Sequence, residues 1–295
     1  MRMKTPARIF VFCDNLIGDF LMQSAALRGL RVKYPDSQLI YCTPDDSVSL
    51  SLVKNFPGID RVMTGPMGRM LREKGDLWID AHCTHAHSYA LVNRCTMTEA
   101  FTHLWNTPLD GIHYSLNVPD EYVQKARELV EARGWKSPVI CARHSSSCSS
   151  NDPRCEYVAN KCFPNSEWVK VASWLQAQGC TPVAVGSKRE LDDDRYADWP
   201  GDKLYGEDIL VVAALQKEFA HLTISVDTGI RHLAAAVGCD LYTISGVTST
   251  QVVGCAPQPG SDQKIVERLI PPSLVRGEDL IRDLRANFFV KETNQ

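Results

Sequence analysis

Leu222-Thr-Ile-Ser-Val-Asp-Thr-Gly-Ile-Arg-His-Leu-Ala-Ala-Ala-Val-Gly238 changes its periodicity once, at Asp227-Thr228-Gly229. Before that turn, Leu222–Val226 is a short apolar run of the kind that makes a buried strand. After it, Thr228–Val237 is rich in alanine and reads as a helix that ends at Gly238. Another apolar run, Leu241–Ile244, follows at once. A strand, a helix and a second strand in this order make a right-handed crossover between parallel strands.

The same grammar extends in both directions. Towards the N-terminus, Pro138–Ala142 and Thr181–Val185 read as strands, and Ser166–Gln178 and Asp208–Ala220 as helices. The first half opens with the strand Arg8–Cys13, the turn Asp14–Gly18 and a helix Asp19–Tyr34 closed by Pro35. Strands follow at Gln38–Thr43, Arg61–Met63 and Leu77–Ala81, then helices at Ala86–His103 and Pro119–Arg133. The pattern predicts an α/β protein of two Rossmann-like domains, 1–135 and 136–275, facing each other across a cleft, with the boundary near Gly134–Ser137. Ligands of such sheets meet the C-terminal ends of the strands. A last helix, Gly277–Phe288 within 276–295, follows Pro271-Pro272 and is expected to pack back on the first domain.

Composition agrees. The 295 residues are 44% hydrophobic and 23% charged, enough for two cores of ordinary size. A net charge of −3 provides no global positive field for nucleic acid or anionic lipid. Apolar stretches such as Ile209–Leu215 fall far short of a membrane span, and the basic start carries no signal-peptide core. A soluble, cytoplasmic, monomeric protein is expected. Eleven cysteines cannot all pair, and most, including Cys13, Cys42, Cys83, Cys141, Cys180 and Cys239, fall in apolar contexts where cysteine acts as a small hydrophobe. Cys148, Cys155 and Cys162, seven apart with His144 nearby, lack the close pairing of a zinc site.

Three turns carry candidate chemistry. Asp227-Thr228-Gly229 lies at a helix start, where unpaired N–H groups and the helix dipole suit a phosphate. Gly229 lets a ligand approach the backbone and Thr228 adds a hydroxyl; an ordinary cap explains the same residues. Lys161, ahead of Pro164 and Trp168, can act as a point charge on a diphosphate or as a solvated loop lysine. Gly18-Asp19 follows the first strand, and Asp19 can cap a helix or face the cleft as a base. His82, His85 and His87 follow the strand Leu77–Ala81 and read as a loop at the cleft: acceptor contacts, solvated residues or, with Cys83, metal ligands whose geometry nothing in the sequence sets. Asp192-Asp193-Asp194 reads as a solvated helix start, and no Asp-x-Asp pair marks a cleft loop for a divalent metal.

Gly18-Asp19, Leu30…Tyr34-Pro35, Lys161-x-x-Pro164…Trp168 and Asp227-Thr-Gly-x-x-His232-Leu-Ala, in this order over about 260 residues, resemble glycosyltransferase family 9, the bacterial heptosyltransferases. The last block is most similar to the lipopolysaccharide heptosyltransferase I type. This resemblance implies a GT-B fold and inverting, metal-independent transfer of a heptose or hexose-like unit from a nucleotide-diphosphate sugar, an ADP-linked one being a candidate donor. No cofactor beyond the donor is implied. Asp19 matches the family's general base and Lys161 the lysine that neutralises the leaving diphosphate. Thr228, Gly229 and Ile230 match the phosphate-binding turn, Asp227 sets that turn, and His232 lines the site. Ser145 and Ser146 stand where the family has small hydroxyl residues, and Gly18, His82, His85 and His87 fall on the acceptor side. The acceptor implied is a glycan or another hydroxyl-bearing substrate, including a lipid-linked one met peripherally at the inner membrane.

The chain also departs from the family. About ten extra residues, roughly Cys148–Val158, separate Ser146 from Lys161. Gly186 is followed by Ser187-Lys188-Arg189, with Glu190 late for an acidic contact to the donor nucleoside. The same donor chemistry would serve a small-molecule, nucleobase or protein acceptor, and a GT-B-like binder or epimerase would use the cleft without transfer.

Overall fold

The structure is a computed structural model that describes residues 5–13, 16–44, 49–64, 76–143, 161–188, 198–246 and 250–289. Two sheets, each wholly parallel, carry it. The first contains β1 (Arg8–Phe12), β2 (Gln38–Thr43), β3 (Arg61–Thr64) and β4 (Leu77–Asp80) in the order β3-β2-β1-β4. The second contains β5 (Val139–Ala142), β6 (Pro182–Gly186), β7 (Asp202–Tyr205), β8 (Leu222–Val226), β9 (Leu241–Ile244) and β10 (Ile265–Arg268) in the order β10-β9-β8-β5-β6-β7. The central strands β5 and β8 are buried at every position, as a parallel sheet covered on both faces requires. Edge strands β7 (Asp-Lys-Leu-Tyr) and β10 (Ile-Val-Glu-Arg) gave no apolar run to read, because an edge strand is only partly covered.

The helices are α1 (Ile17–Met22), α2 (Ser24–Lys33), α3 (Leu50–Lys54), α4 (Cys83–Asn93), α5 (Met97–Leu104), α6 (Asp120–Arg133), α7 (Asn165–Ala177), α8 (Ile209–Glu218), α9 (Gly229–Val237), α10 (Thr250–Val253) and α11 (Gly277–Asn287). Several differ from the sequence reading. The helix expected from Asp19 begins two residues earlier, so Gly18 and Asp19 belong to the first turn of α1. It is interrupted at Gln23, whose buried side chain bonds to Cys13 Sγ, to Ala81 O and to the Tyr41 hydroxyl.

The expected Ala86–His103 helix is two helices. Arg94 ends α4 in the left-handed region (φ 53°), and Thr96 and Glu99 form a reciprocal capping box that starts α5. The signal Thr-Met-Thr-Glu was in the sequence. His82, His85 and His87 are not on a loop: His82 is the N-cap of α4 and the other two lie within it, because Ala86 and Ala90 bury one face of that segment.

The C-terminal helix is also placed differently. Leu280 and Leu284 of α11 are fully buried against the second sheet's cluster, with Val171, Ala172 and Leu175 of α7. Asp283 accepts from Tyr242 of β9 (2.7 Å) and pairs with Arg268 of β10. The helix therefore covers the second sheet and not the first.

One apolar cluster runs through both halves, from Ile9, Leu27 and Leu30 to Ile140, Ala142 and Leu233. It is continuous because α1 packs on α9 and α6 packs on α8. Among the described residues no helix is long and apolar enough to cross a membrane.

Replacing Leu284 by alanine should cost about 2–5 kcal/mol of stability, the usual range for a fully buried leucine. Hydrogen exchange should quicken in α7 before it does in α2; the reverse order would put α11 against the first sheet.

Candidate active site

Strand order locates the clefts. In the first sheet the order of strand addition reverses between β1 and β4, and in the second between β5 and β8. Crevices open at such switch points, beyond the C-terminal ends of the strands. The segment leaving β1 carries Gly18 and Asp19, and the one leaving β4 carries His82 and Cys83. The segment leaving β8 carries Asp227, Thr228 and Gly229.

These two switch points meet. A Cβ built on Gly229 would lie 2.8 Å from Ile17 Cβ, and one on Gly18 would lie 2.8 Å from His232 Cδ2. Backbone thus crosses backbone where α1 passes the first turn of α9, a contact open only to glycine.

Thr228 is the N-cap of α9, and its Oγ1 accepts from Ile230 N–H at 3.3 Å. Asp227 stands one residue earlier, between two cations. Lys161 Nζ is 2.9 Å from its Oδ2, and Arg231 Nη2 is 2.9 Å from its Oδ1. Arg231 is wholly buried, and its guanidinium also donates to Ser245 Oγ (2.6 Å) and to Val253 O (2.8 Å). Burial pushes the Arg231 pKa down, but the Asp227 charge, joined by weaker attractions to Cys255, Tyr114 and Glu267, more than offsets it, and the group stays charged with its pKa raised.

His232 joins the halves. Arg231 Nε–H donates to His232 Nε2 at 3.4 Å, which leaves the imidazole proton on Nδ1 to donate to the Tyr114 hydroxyl at 3.1 Å. Tyr114 then donates to Gly254 O at 3.0 Å. Burial, reinforced by the Arg231 charge, lowers the His232 pKa to about 3, so the ring is neutral as this chain of donors requires. Tyr114, on the stretch between α5 and α6, is buried to 1% exposure.

On the opposite wall, Asp19 accepts from Leu16 N–H (3.3 Å) and from the Cys83 thiol. It is a helix cap and a cleft carboxylate together. Burial raises its pKa; the two hydrogen bonds work against that rise, Asp227 adds to it and Lys161 opposes it. A carboxylate with a raised pKa and a lysine held nearby can divide proton acceptance and anion stabilisation between two walls.

The structure brings together Gly18, Asp19, Lys161, Asp227, Thr228, Gly229, Ile230 and His232. His82 and His85 are exposed and His87 is half-buried, on the first turns of α4 that begin beside Asp19 at Cys83. Among the described residues no group of three or more His, Cys, Asp or Glu side chains is arranged to hold a metal. Ser145, Ser146, the Cys148–Val158 segment, Glu190 and Asp192–Asp194 lie outside the described residues. Tyr114 and Arg231 escaped the sequence reading as site residues, and Cys83 entered it only as a buried hydrophobe or a metal ligand, not as a donor to Asp19. Only Arg231 left a signal, a charge within the apolar helix Ile-Arg-His-Leu-Ala-Ala-Ala.

The family model of glycosyltransferase family 9 (heptosyltransferase) matches residues 62–271. Among solved structures, a glycosyl transferase family 9 protein from Veillonella parvula superposes with a TM-score of 0.73 at 14% identity, over 99% of each chain. The ADP-heptose lps heptosyltransferase II of E. coli gives 0.67 at 15% identity, over 95% of this chain and 98% of that one. E. coli heptosyltransferase WaaC, solved with ADP, gives 0.64 at 15% identity, over 95% of this chain and 99% of its own. No curated protein matches the chain in sequence.

A histidine buried neutral makes stability fall with acid. The unfolded chain binds a proton near pH 6.5 and the folded one only near 3, so stability should decline below about pH 6.5 by up to ~1.4 kcal/mol per pH unit from this group. Urea unfolding between pH 7 and 4 should show that slope, and His232→Gln should flatten it. An unchanged slope in the variant would remove His232 as its source.

Proposed function

Because the chain belongs to glycosyltransferase family 9, the heptosyltransferase family, and is therefore a glycosyltransferase, we propose that it moves a sugar from a nucleoside-diphosphate donor to an acceptor hydroxyl with inversion and without a metal ion. The observation that supports this most is the opposition of the two walls. Asp19, its pKa raised by burial, belongs to the first sheet, while Lys161 and the α9 N-terminus belong to the second and lie within its electrostatic reach.

The donor's diphosphate would lie at Thr228–Ile230. Ile230 N–H is already taken by Thr228 Oγ1, which leaves the Thr228 and Gly229 N–H groups and the Lys161 ammonium to meet it. Negative charge grows on the diphosphate oxygens as the bond to the anomeric carbon breaks. A lysine and a helix N-terminus stabilise that charge in place of a divalent cation. An acceptor hydroxyl attacks from the opposite side, its oxygen forms the new bond to the anomeric carbon, and its proton passes to Asp19. Attack opposite to departure inverts the centre.

ADP is the natural nucleotide to try, since a structural neighbour is solved with it. The acceptor would enter along the start of α4, past His82, His85 and His87, and Ser145 and Ser146 would add donor contacts.

Lys161→Ala should weaken ADP binding by about 1.5–3 kcal/mol, the value of a charged hydrogen bond, as read by titration calorimetry. Unaltered affinity at physiological salt would take Lys161 out of the site.

Asp19→Asn should keep the fold and ADP affinity while transfer falls about 10²–10⁴-fold. In the wild type the acid limb of kcat/KM should inflect above 3.8, and this limb should vanish in the variant. Turnover within a few-fold of wild type would reduce Asp19 to a helix cap.

Release of nucleoside diphosphate should survive excess chelator. Loss restored by magnesium or manganese would defeat the metal-free reading, and a panel of nucleotide sugars that leaves Tm unmoved would defeat the donor site as a whole.

A further inference from the structure

Arg231 is a fully buried cation, one helical turn beyond Asp227, in a helix otherwise built of apolar side chains and His232. A buried guanidinium must satisfy its N–H groups, and this one does so on fixed acceptors: Ser245 Oγ after β9, Val253 O of α10, His232 Nε2 and Asp227 Oδ1. Three of these belong to packed protein, so the fork cannot turn without leaving a donor unpaired. The fourth, Asp227, is 13% exposed and reaches the cleft, where its other oxygen meets Lys161.

We propose that Arg231 is a positioning residue for the lysine: it clamps Asp227 Oδ1 from the buried side, so that Oδ2 holds Lys161 Nζ beside the Thr228–Gly229 turn. Arg231 itself touches no substrate. This proposal rests on the reading of that turn as a diphosphate site.

The physical reason for two cations on one carboxylate is exchange. A lysine paired with a lone aspartate would have to give up the whole of that attraction to bind a diphosphate. Here Asp227 keeps a permanent partner in Arg231, so Lys161 can pass to an incoming anion without leaving an uncompensated carboxylate behind it. Lysine at position 231 keeps the charge but offers a single flexible ammonium, which cannot serve Asp227, Ser245, Val253 and His232 together.

Two measurements test the clamp. The first is a crystal structure of nucleotide-free Arg231→Lys, with Arg231→Met as a second variant if it folds. The Asp227 carboxylate should turn from its wild-type orientation, with Oδ1 leaving position 231 and both oxygens coming to Lys161 Nζ; a carboxylate still oriented as in the wild type would overturn the proposal. The second is ADP affinity by calorimetry in a double-mutant cycle. Arg231→Lys should weaken ADP about tenfold when Lys161 is present and less than twofold in a Lys161→Ala background. An equal loss in both backgrounds would mean that Arg231 only supports the fold, and would refute the clamp. Failure of wild-type protein to bind ADP would refute the nucleotide reading instead, while the crystal structure still decides the geometry of the pair.

Discussion

The close crossing of α1 over the first turn of α9 is the constraint on which the rest of the molecule depends. Gly18 and Gly229 lie where the two switch points touch, and neither position has room for a Cβ. Without side chains at the crossing, backbone from one sheet reaches backbone from the other, and the apolar clusters of the two halves fuse. Asp19 comes within electrostatic reach of Lys161 and Asp227 for the same reason. A methyl group on Gly229 would meet Ile17 and the Gly18 backbone, and one on Gly18 would meet the His232 ring, so either would force a shift at the junction.

A junction this tight buries the groups it encloses, and burial sets the charge pattern. Arg231 is buried completely and tolerated because the Asp227 carboxylate pairs with it at 2.9 Å. His232, next to that fixed charge, cannot add a second proton and serves as a neutral link between Arg231 and Tyr114. Asp19, partly buried beside them, loses some of its preference for the ionised form and so becomes a better proton acceptor. One environment therefore holds one group charged, one neutral and one carboxyl with its pKa raised.

The family likeness fits this division. Identity to the superposed structures is only 14–15%, yet more than nine-tenths of this chain aligns with each of them. Parallel strands need apolar runs and crossovers need amphipathic helices, and many sequences meet those demands. Arg231 and Cys83 are of another kind, since each works only through a specific partner in space.

Strands β5, β8 and β9 and helix α9 were legible in the sequence nearly residue for residue, because a buried strand is written as an uninterrupted apolar run and a helix end as a glycine. Asp227-Thr228-Gly229 was legible as a turn for the same reason: strand period stops and helix period starts. The edge strands β7 and β10 were not, because half-covered strands carry no such run. The split of α4 from α5 was written in Thr96 and Glu99, but an unbroken apolar rhythm on either side hid it. Only the tertiary structure could set α11 on the second sheet, join Asp19 to Cys83, and stretch one line of hydrogen bonds from Arg231 through His232 to Tyr114. Those contacts span up to 118 residues of chain, a separation over which local propensity has no hold and packing alone decides.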